Sequence, residues 1–157
     1  MKIRSLLDGF DRGAAALQSP LLLLIRLYWG WSFAQTGWGK FGRIDEVASW
    51  FGESLHIPFP KLNAVMAATT ELVGGALLLA GLFARPASVA LAFTMVVAYG
   101  TAHREELAAI FRETDKFIEA APFTYLAAAV VVLAFGPGRF SLDHLWRRPD
   151  AKKPASS

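Results

Sequence analysis

Four long apolar stretches, separated by shorter segments rich in charged residues, dominate the pattern of this chain. A helix needs about 20 apolar residues to cross a hydrocarbon core about 30 Å thick. The pattern therefore predicts an all-α protein, an integral membrane four-helix bundle. The expected spans cover residues 20–38, 62–83, 86–102 and a last stretch from 117 or 122 to 135.

Proline and glycine positions set the expected boundaries. Pro20 suits a helix N-terminus, Ala84–Pro86 predicts a tight turn between the second and third spans, and Gly136-Pro137-Gly138 is typical of a helix end. We therefore expect three regions: a cytoplasmic N-terminal segment at 1–19, the four-helix transmembrane domain at 20–145, and a disordered polar tail at 146–157.

The two loops opposite the termini have helical periodicity. One face of the first loop carries Ile44, Val47, Phe51 and Leu55, and one face of the second carries Leu107, Ile110, Phe111, Thr114 and Ile118. This spacing predicts short amphipathic helices lying on the outer membrane surface. An alternative for the second loop is a continuation of the third or fourth span beyond the membrane.

Composition and charge agree with a lipid environment. The chain of 157 residues is 54% hydrophobic and only 18% charged, with a mean hydropathy of +0.37. The side that holds both termini carries nine Lys or Arg, against six in the other loops. By the positive-inside rule, the termini are expected in the cytoplasm. No basic stripe with exposed aromatic residues indicates nucleic-acid binding.

Several kinds of chemistry are excluded by missing residues or motifs. The chain has no cysteine, so it forms no disulfide, thiolate-bound cluster or Cys-attached haem. It also lacks a GxSxG elbow and a Walker loop. His56 and His103 would need to converge with loop carboxylates to bind a metal, and their spacing matches no metal motif. We predict no metal and no haem, and any redox role would use a bound cofactor.

Two ionisable residues interrupt apolar spans: Arg26 in the first and Glu71 in the second. Burying one charge alone costs about 2.5 to 3.5 kcal/mol on insertion scales, so a partner is expected. Counting residues from the span ends brings the two within reach of each other and predicts an ion pair. The pair either forms part of a ligand site or only fixes helix register.

Three further residues are candidate ligand contacts. Trp29 shares the Arg26 face of the first span, while Gln35 and Lys40 lie near its outer end. Gln35 falls on about the opposite face from Arg26, which argues against one narrow pocket holding both. An aromatic belt and a snorkelling lysine explain this group equally well.

The order of these elements resembles the DoxX family. The resemblance rests on an Arg in LIRLYWGWSF, the GWGK element at 37–40, a Glu opening ELVGGALLLAGLFARPA, and a terminal GPGRFSLD. It extends over about residues 20–145. The family pattern falls on Arg26, Gly37, Lys40, Glu71, Gly81, Gly136, Gly138, Ser141 and Asp143. Ser141 and Asp143 equally suit the cap and first turn of a short surface helix.

The resemblance implies a multi-pass protein of the bacterial inner membrane, in a family associated with membrane oxidoreductases that pass electrons to quinone. Our first hypothesis is an accessory or quinone-interacting subunit, with quinone as the cofactor and no enzyme activity of its own. The alternative is a non-catalytic scaffold that docks a partner polypeptide and in which the buried Arg and Glu are structural. We expect a homo-oligomer or a partner membrane or periplasmic protein, because four short spans bury little surface.

Overall fold

The computed structural model describes the backbone of residues 2–146 and the side chains of residues 7–11 and 13–146. All regular elements in this part of the chain are helical, so the all-α prediction is confirmed. The helices are α1 (Lys2–Gly42), α2 (Ile44–Ser49), α3 (Pro60–Ala80), α4 (Ala84–Thr101), α5 (Arg104–Ala108), α6 (Thr114–Glu119), α7 (Ala121–Phe135) and α8 (Leu142–Trp146), with a π-helical turn at Trp50–Ser54. Of the predicted polar tail, only Trp146 lies within the described residues.

The four longest helices surround one apolar core. Helix α1 packs against α3, α3 against α4, α4 against α7, and α7 back against α1. Each helix contributes fully buried side chains to the centre, such as Phe33, Leu78, Leu91 and Val132. By length and hydropathy together, α3 is the one described helix that qualifies as a membrane span, and α7 is a shorter apolar helix. The four-span arrangement therefore stays a prediction.

Glycines let the antiparallel α1 and α3 approach at backbone contact. A Cβ added to Gly37 would lie 2.4 Å from the Leu72 nitrogen, and one added to Gly75 would lie 2.5 Å from the Ala34 nitrogen. Side chains larger than hydrogen would force these backbones apart. The contact fixes the height of every α1 residue relative to α3.

Helix α1 is longer than the predicted first span. It begins at Lys2 and not at Pro20, runs for 41 residues and contains Pro20 in its interior. An interior proline loses one helical hydrogen bond and usually costs about 3 kcal/mol. The alanine run before it and the leucine run after it are strong helix formers, which explains why the helix continues.

The turn between α3 and α4 lies at Gly81–Phe83, slightly before the predicted Ala84–Pro86. Gly81 has a φ of +67°, its N–H donates to the Leu78 carbonyl at 3.1 Å, and the Leu82 N–H donates to the Leu77 carbonyl at 3.0 Å. This is a Schellman motif, in which a left-handed glycine ends the helix. Phe83 is also left-handed, with a φ of +46°, so the turn is strained.

The loops at the other end of the bundle form separate short helices. Helix α2 and the π-helical turn fold back over α3, with Ala48 buried. Helices α5 and α6 are separated from each other and from α4 by turns, so the second loop is not a continuous extension of α4 or α7. Both loops sit over the same end of the bundle as Lys40.

Candidate functional site

Arg26 is the most deeply buried charged residue of the described chain, with 1% of its surface exposed. Its guanidinium donates to the carbonyls of Leu78 at 3.0 Å, Leu79 at 3.3 Å and Phe140 at 3.1 Å, and also to that of Pro137. The last carbonyls of a helix lack intrahelical partners and carry partial negative charge. Arg26 therefore caps the C-terminus of α3 and ties it to the segment after α7.

Asp143 caps the N-terminus of α4. Its carboxylate accepts hydrogen bonds from the N–H groups of Phe83 at 2.9 Å and Ala84 at 3.0 Å, and its own N–H donates to the Gly81 carbonyl at 2.9 Å. A carboxylate at a helix N-terminus is favourable. Here the cap is supplied by a residue about sixty positions away, and it holds the strained Phe83 turn in place.

Gly81 completes what we call the hairpin-end cluster: Arg26, Gly81, Gly138, Ser141 and Asp143. A Cβ on Gly81 would lie 2.6 Å from the Arg26 guanidinium carbon and 2.7 Å from the Ser141 Cβ. Ser141 accepts from the His144 N–H and donates to the Gly138 carbonyl, which caps α8. The side chains of Arg26, Ser141 and Asp143 all make hydrogen bonds within the fold, joining the ends of α3, α4 and α8.

The predicted ion pair between Arg26 and Glu71 is wrong. Arg26 meets α3 at Leu78, about 10 Å along the helix from Glu71. The sequence-based prediction counted the position of Arg26 along its helix from an expected start at Pro20. Glu71 pairs instead with Lys40, in contact between its Oε2 and the lysine Nζ.

The Lys40–Glu71 pair is the second polar centre. The Glu71 side chain is 4% exposed and that of Lys40 is 29% exposed. Lys40 stands three residues after Gly37, and this glycine allows α1 to approach α3 closely enough for the lysine to reach the carboxylate. The pair is thus buried on the Glu71 side and accessible on the Lys40 side.

A cavity of about 730 Å³ opens beside this pair. Its α3 wall ends at Glu71 and its α4 wall starts at Ala90, so it occupies the half of the α3–α4 hairpin away from the turn. The two helices separate beyond Gly74, where a Cβ would lie 3.0 Å from the Leu91 side chain. Most of the lining is apolar, and Lys40 and Glu71 place an ion pair in its wall.

Tyr125 from α7 forms the inner wall of the cavity. Its ring packs edge-on against Phe33, with 4.7 Å between centroids, and against Trp29 at 4.9 Å. Phe33 and Tyr125 both line the cavity, whereas Trp29 lies behind them. Phe33 and Tyr125 give the cavity an aromatic floor, and Lys40 and Glu71 belong to the same lining.

Polar groups of α4 and α5 lie next to His103, a lining residue of the cavity. His103 Nδ1 lies 3.4 Å from Glu106 Oε1, and the Tyr99 hydroxyl below donates to the Phe117 carbonyl at 2.7 Å. The pKa of Glu106 lies below its ordinary value, chiefly because its carboxylate accepts a hydrogen bond from its own backbone N–H, with a further contribution from His103. Glu106 therefore favours its charged form beside His103.

The segment that covers the cavity is strained. His56 and Phe59 both have positive φ, at 54° and 49°. The Asn63 side-chain amide donates to the Pro58 carbonyl at 2.7 Å and holds the segment against the start of α3. Strained non-glycine residues of this kind often occur where a ligand is bound or a segment moves.

The five candidate residues thus separate into two groups. Lys40 and Glu71 line the cavity. Arg26 belongs to the hairpin-end cluster, Trp29 supports Tyr125 from behind, and Gln35 is exposed on the outward face of α1. His56 and His103 both line the cavity, but the described residues contain no group of three potential ligands that could hold a metal.

Sequence reasoning missed Tyr125 and the aromatic floor. Tyr125 stands in an almost wholly apolar run and has no charge to draw attention. It shares a helix face with Ala121 and Pro122, which also line the cavity, but no feature of the sequence distinguishes this face from an ordinary core face.

These features define a small all-helical protein with an internal hairpin-end cluster and an amphiphilic cavity between its long helices. The sequence profile of the DoxX family matches residues 21–104, more than half of the chain. The protein therefore belongs to the DoxX family and is a membrane protein. No curated protein and no solved structure is significantly similar to it. The matched region includes Arg26, Lys40, Glu71 and Gly81 and ends before the GPGRFSLD segment.

Proposed function

We propose that this protein binds the ring of a lipid-soluble quinone in the cavity beside Lys40 and Glu71, as an accessory membrane subunit of an oxidoreductase system. The observation that supports it is the combination of an apolar cavity of about 730 Å³ with one ion pair at its wall. Small-molecule sites are commonly apolar clefts of about 300–1,000 Å³ with a few fixed polar groups.

The polar groups suit both forms of a quinone. The Lys40 ammonium donates hydrogen bonds and would bind a carbonyl oxygen of the oxidised ring. The Glu71 carboxylate accepts hydrogen bonds and would bind a hydroxyl of the reduced ring. The aromatic floor at Phe33 and Tyr125 would pack against the ring itself.

The cavity also suits entry from the bilayer. Met66, Phe93 and Val97 line it and are nevertheless exposed, at 57%, 68% and 41% of their surface. They lie on the facing helices α3 and α4, at the side of the bundle. An isoprenoid tail could remain among the lipids there while the ring enters.

The proposed setting is the bacterial inner membrane, with residues 20–145 as a four-span domain and both termini in the cytoplasm. The charge bias of the loops supports this orientation. Electrons would be exchanged with the quinone by a partner oxidoreductase. This chain would hold and orient the ring and would not be an enzyme on its own.

Native mass spectrometry of gently solubilised protein, with decylubiquinone as the probe, tests the proposal. Wild type should retain the quinone, whereas Lys40→Met and Glu71→Gln should each lose it. Lys61→Met is the matched control, because Lys61 forms a fully solvated pair with Asp45 at 2.9 Å. Equal retention by all four proteins would contradict the role of the pair.

A second pair of variants tests the cavity independently of charge. Ala67→Phe fills the cavity, whereas Ala76→Phe adds the same ring to an exposed face of the same helix. Only Ala67→Phe should abolish quinone retention. A wild-type protein that is free of ligand and stoichiometrically bound to another polypeptide would favour the scaffold alternative.

A further inference from the structure

The face of α1 that points away from the bundle carries a heptad repeat. Steps of three and four residues alternate without interruption along Leu7, Phe10, Ala14, Leu17, Leu21, Leu24, Tyr28, Trp31, Gln35 and Trp38. We call this set the α1 seam. All ten positions are exposed, with Phe10 at 74% and Leu17 at 68%.

The opposite face of α1 already has its partners. Leu22, Arg26, Gly30, Phe33 and Gly37 are buried there against α3 and α7. From Leu22 onward, the seam is therefore the side of α1 left uncovered. The described residues between 7 and 18 are exposed on every side of the helix, and the large apolar ones among them, Leu7, Phe10 and Leu17, all lie on the seam. Since α1 is the longest helix, this is a long apolar surface.

The repeat itself points to a helical partner. A straight α-helix has 3.6 residues per turn, so lipid contact alone gives no reason for apolar positions to recur every 3.5 residues. A second helix supercoiled around the first does require that spacing, because it keeps one seam facing the partner. Here the spacing persists over more than four heptads, with Gln35 as the one polar amide among the ten positions.

Lipid cannot cover the whole seam. At 1.5 Å per residue, the 41 residues of α1 extend about 61 Å, roughly twice the hydrocarbon thickness. If the part after Pro20 spans the membrane, Leu7, Phe10 and Leu17 lie beyond it. These side chains are large, apolar and exposed, so they need a cover made of protein.

We propose that α1 pairs in parallel with α1 of a second copy of this chain through the α1 seam, as a two-stranded coiled coil that continues from the membrane into the aqueous phase. Two copies in one membrane share the same orientation, and a two-fold axis along the membrane normal places each seam residue opposite its own counterpart.

The area of the seam suits a stable pair. From Leu7 to Trp38 the seam is about 47 Å long, and a coiled-coil contact is roughly 10 Å wide. It would bury about 1,000 Å² in total over both chains, which is near the lower limit for a specific interface. The packing needs no rearrangement, because the side chains are already exposed.

A membrane surface is the competing cover for residues 7–19, and the register of the repeat disfavours it. The step from Leu17 to Leu21 keeps the register across Pro20, whereas a segment bent onto the lipid surface would have no reason to stay in phase with the span.

Cysteine cross-linking tests the pairing well, because the chain has no cysteine of its own. Single variants Leu7→Cys, Leu17→Cys and Leu24→Cys in the full chain should form disulfide-linked dimers on mild oxidation of native membranes. Equivalent Cα atoms would lie within the 7 Å that a disulfide requires. Ala15→Cys, off the seam, and Val73→Cys, on exposed α3 surface, are the controls.

The seam variants should cross-link at least tenfold more than both controls. No cross-linking at the seam, or equal cross-linking at Ala15 and Val73, would overturn the proposal. A second measurement counts subunits by single-molecule photobleaching in vesicles. Wild type should be dimeric and the Leu7→Asp/Leu17→Asp double variant monomeric with the same thermal unfolding midpoint. A monomeric wild type would also overturn the proposal, whatever the cavity binds.

Discussion

Replacing Arg26 by leucine removes the contact that joins the end of α3 to the segment after α7. The guanidinium donates to four carbonyls, those of Leu78, Leu79, Pro137 and Phe140. The Leu78 carbonyl keeps another donor, the backbone N–H three residues further on. The other three lose the donor that Arg26 supplies.

The expected loss of stability follows from those three groups. Each of these partly buried carbonyls costs about 1–2 kcal/mol when it loses its partner, and the leucine returns roughly 2–3 kcal/mol through its apolar surface. The net loss is about 2 kcal/mol of unfolding free energy. Arg26→Lys should recover only part of it, because an ammonium group cannot reproduce the planar fork of the guanidinium.

Unfolding in mixed micelles, followed by circular dichroism as the denaturing detergent is increased, measures this loss. Arg85→Leu is the matched control, since Arg85 lies at the same end, is exposed and makes one bond of 3.4 Å to the Ala134 carbonyl. Its effect should stay within about 0.5 kcal/mol. A loss below about 1 kcal/mol for Arg26→Leu would refute the structural role assigned to Arg26.

Three further predictions use the same unfolding assay. Gly37→Ala should lower the free energy of unfolding by more than about 2 kcal/mol, because the added Cβ would meet the α3 backbone. Gly39→Ala has open space around it and should be neutral or stabilising by up to about 1 kcal/mol. Similar effects at both glycines would contradict the close approach of α1 and α3. Asp143→Ala should cost about 1–2 kcal/mol by uncapping α4, and an unchanged midpoint would argue against that cap. A double-mutant cycle on Lys40 and Glu71 should give a coupling above about 1 kcal/mol, and additive losses would contradict a direct pair.

Sequence reasoning identified the residues of both polar centres but paired them wrongly. Arg26 and Glu71 stood out because charges in apolar runs are costly. The positions of Arg26 and Glu71 along the bundle axis could not be read from the predicted span boundaries, since α1 continues through Pro20. The contacts at Gly37 and Gly75 set the true register and bring Lys40 to Glu71.

The partners of Arg26 could not be predicted from residue types. They are backbone carbonyls, which every residue has, and they become available only because α3 ends at Gly81 and the chain returns after α7. The role of Asp143 was missed for the same reason. It was expected at the start of its own short helix, but its carboxylate caps α4.

The cavity itself has no counterpart in the pattern of the chain. Helices α3 and α4 touch at Gly74 and Leu91, and the cavity lies between them on the side of this contact away from the turn. Periodicity describes which face of each helix is apolar, and both walls of a cavity look like ordinary core faces. Only packing distinguishes an empty volume from a filled one.

Photoaffinity labelling with an azidoquinone in native membranes, followed by peptide mapping, tests the quinone site. The label should fall on the cavity walls, in residues 63–71 of α3 and 90–101 of α4, and excess unlabelled quinone should remove it. Glu71→Gln should lower the yield at the same positions. Labelling confined to the outward face of α1, or labelling that unlabelled quinone does not compete away, would contradict a quinone site beside Lys40 and Glu71.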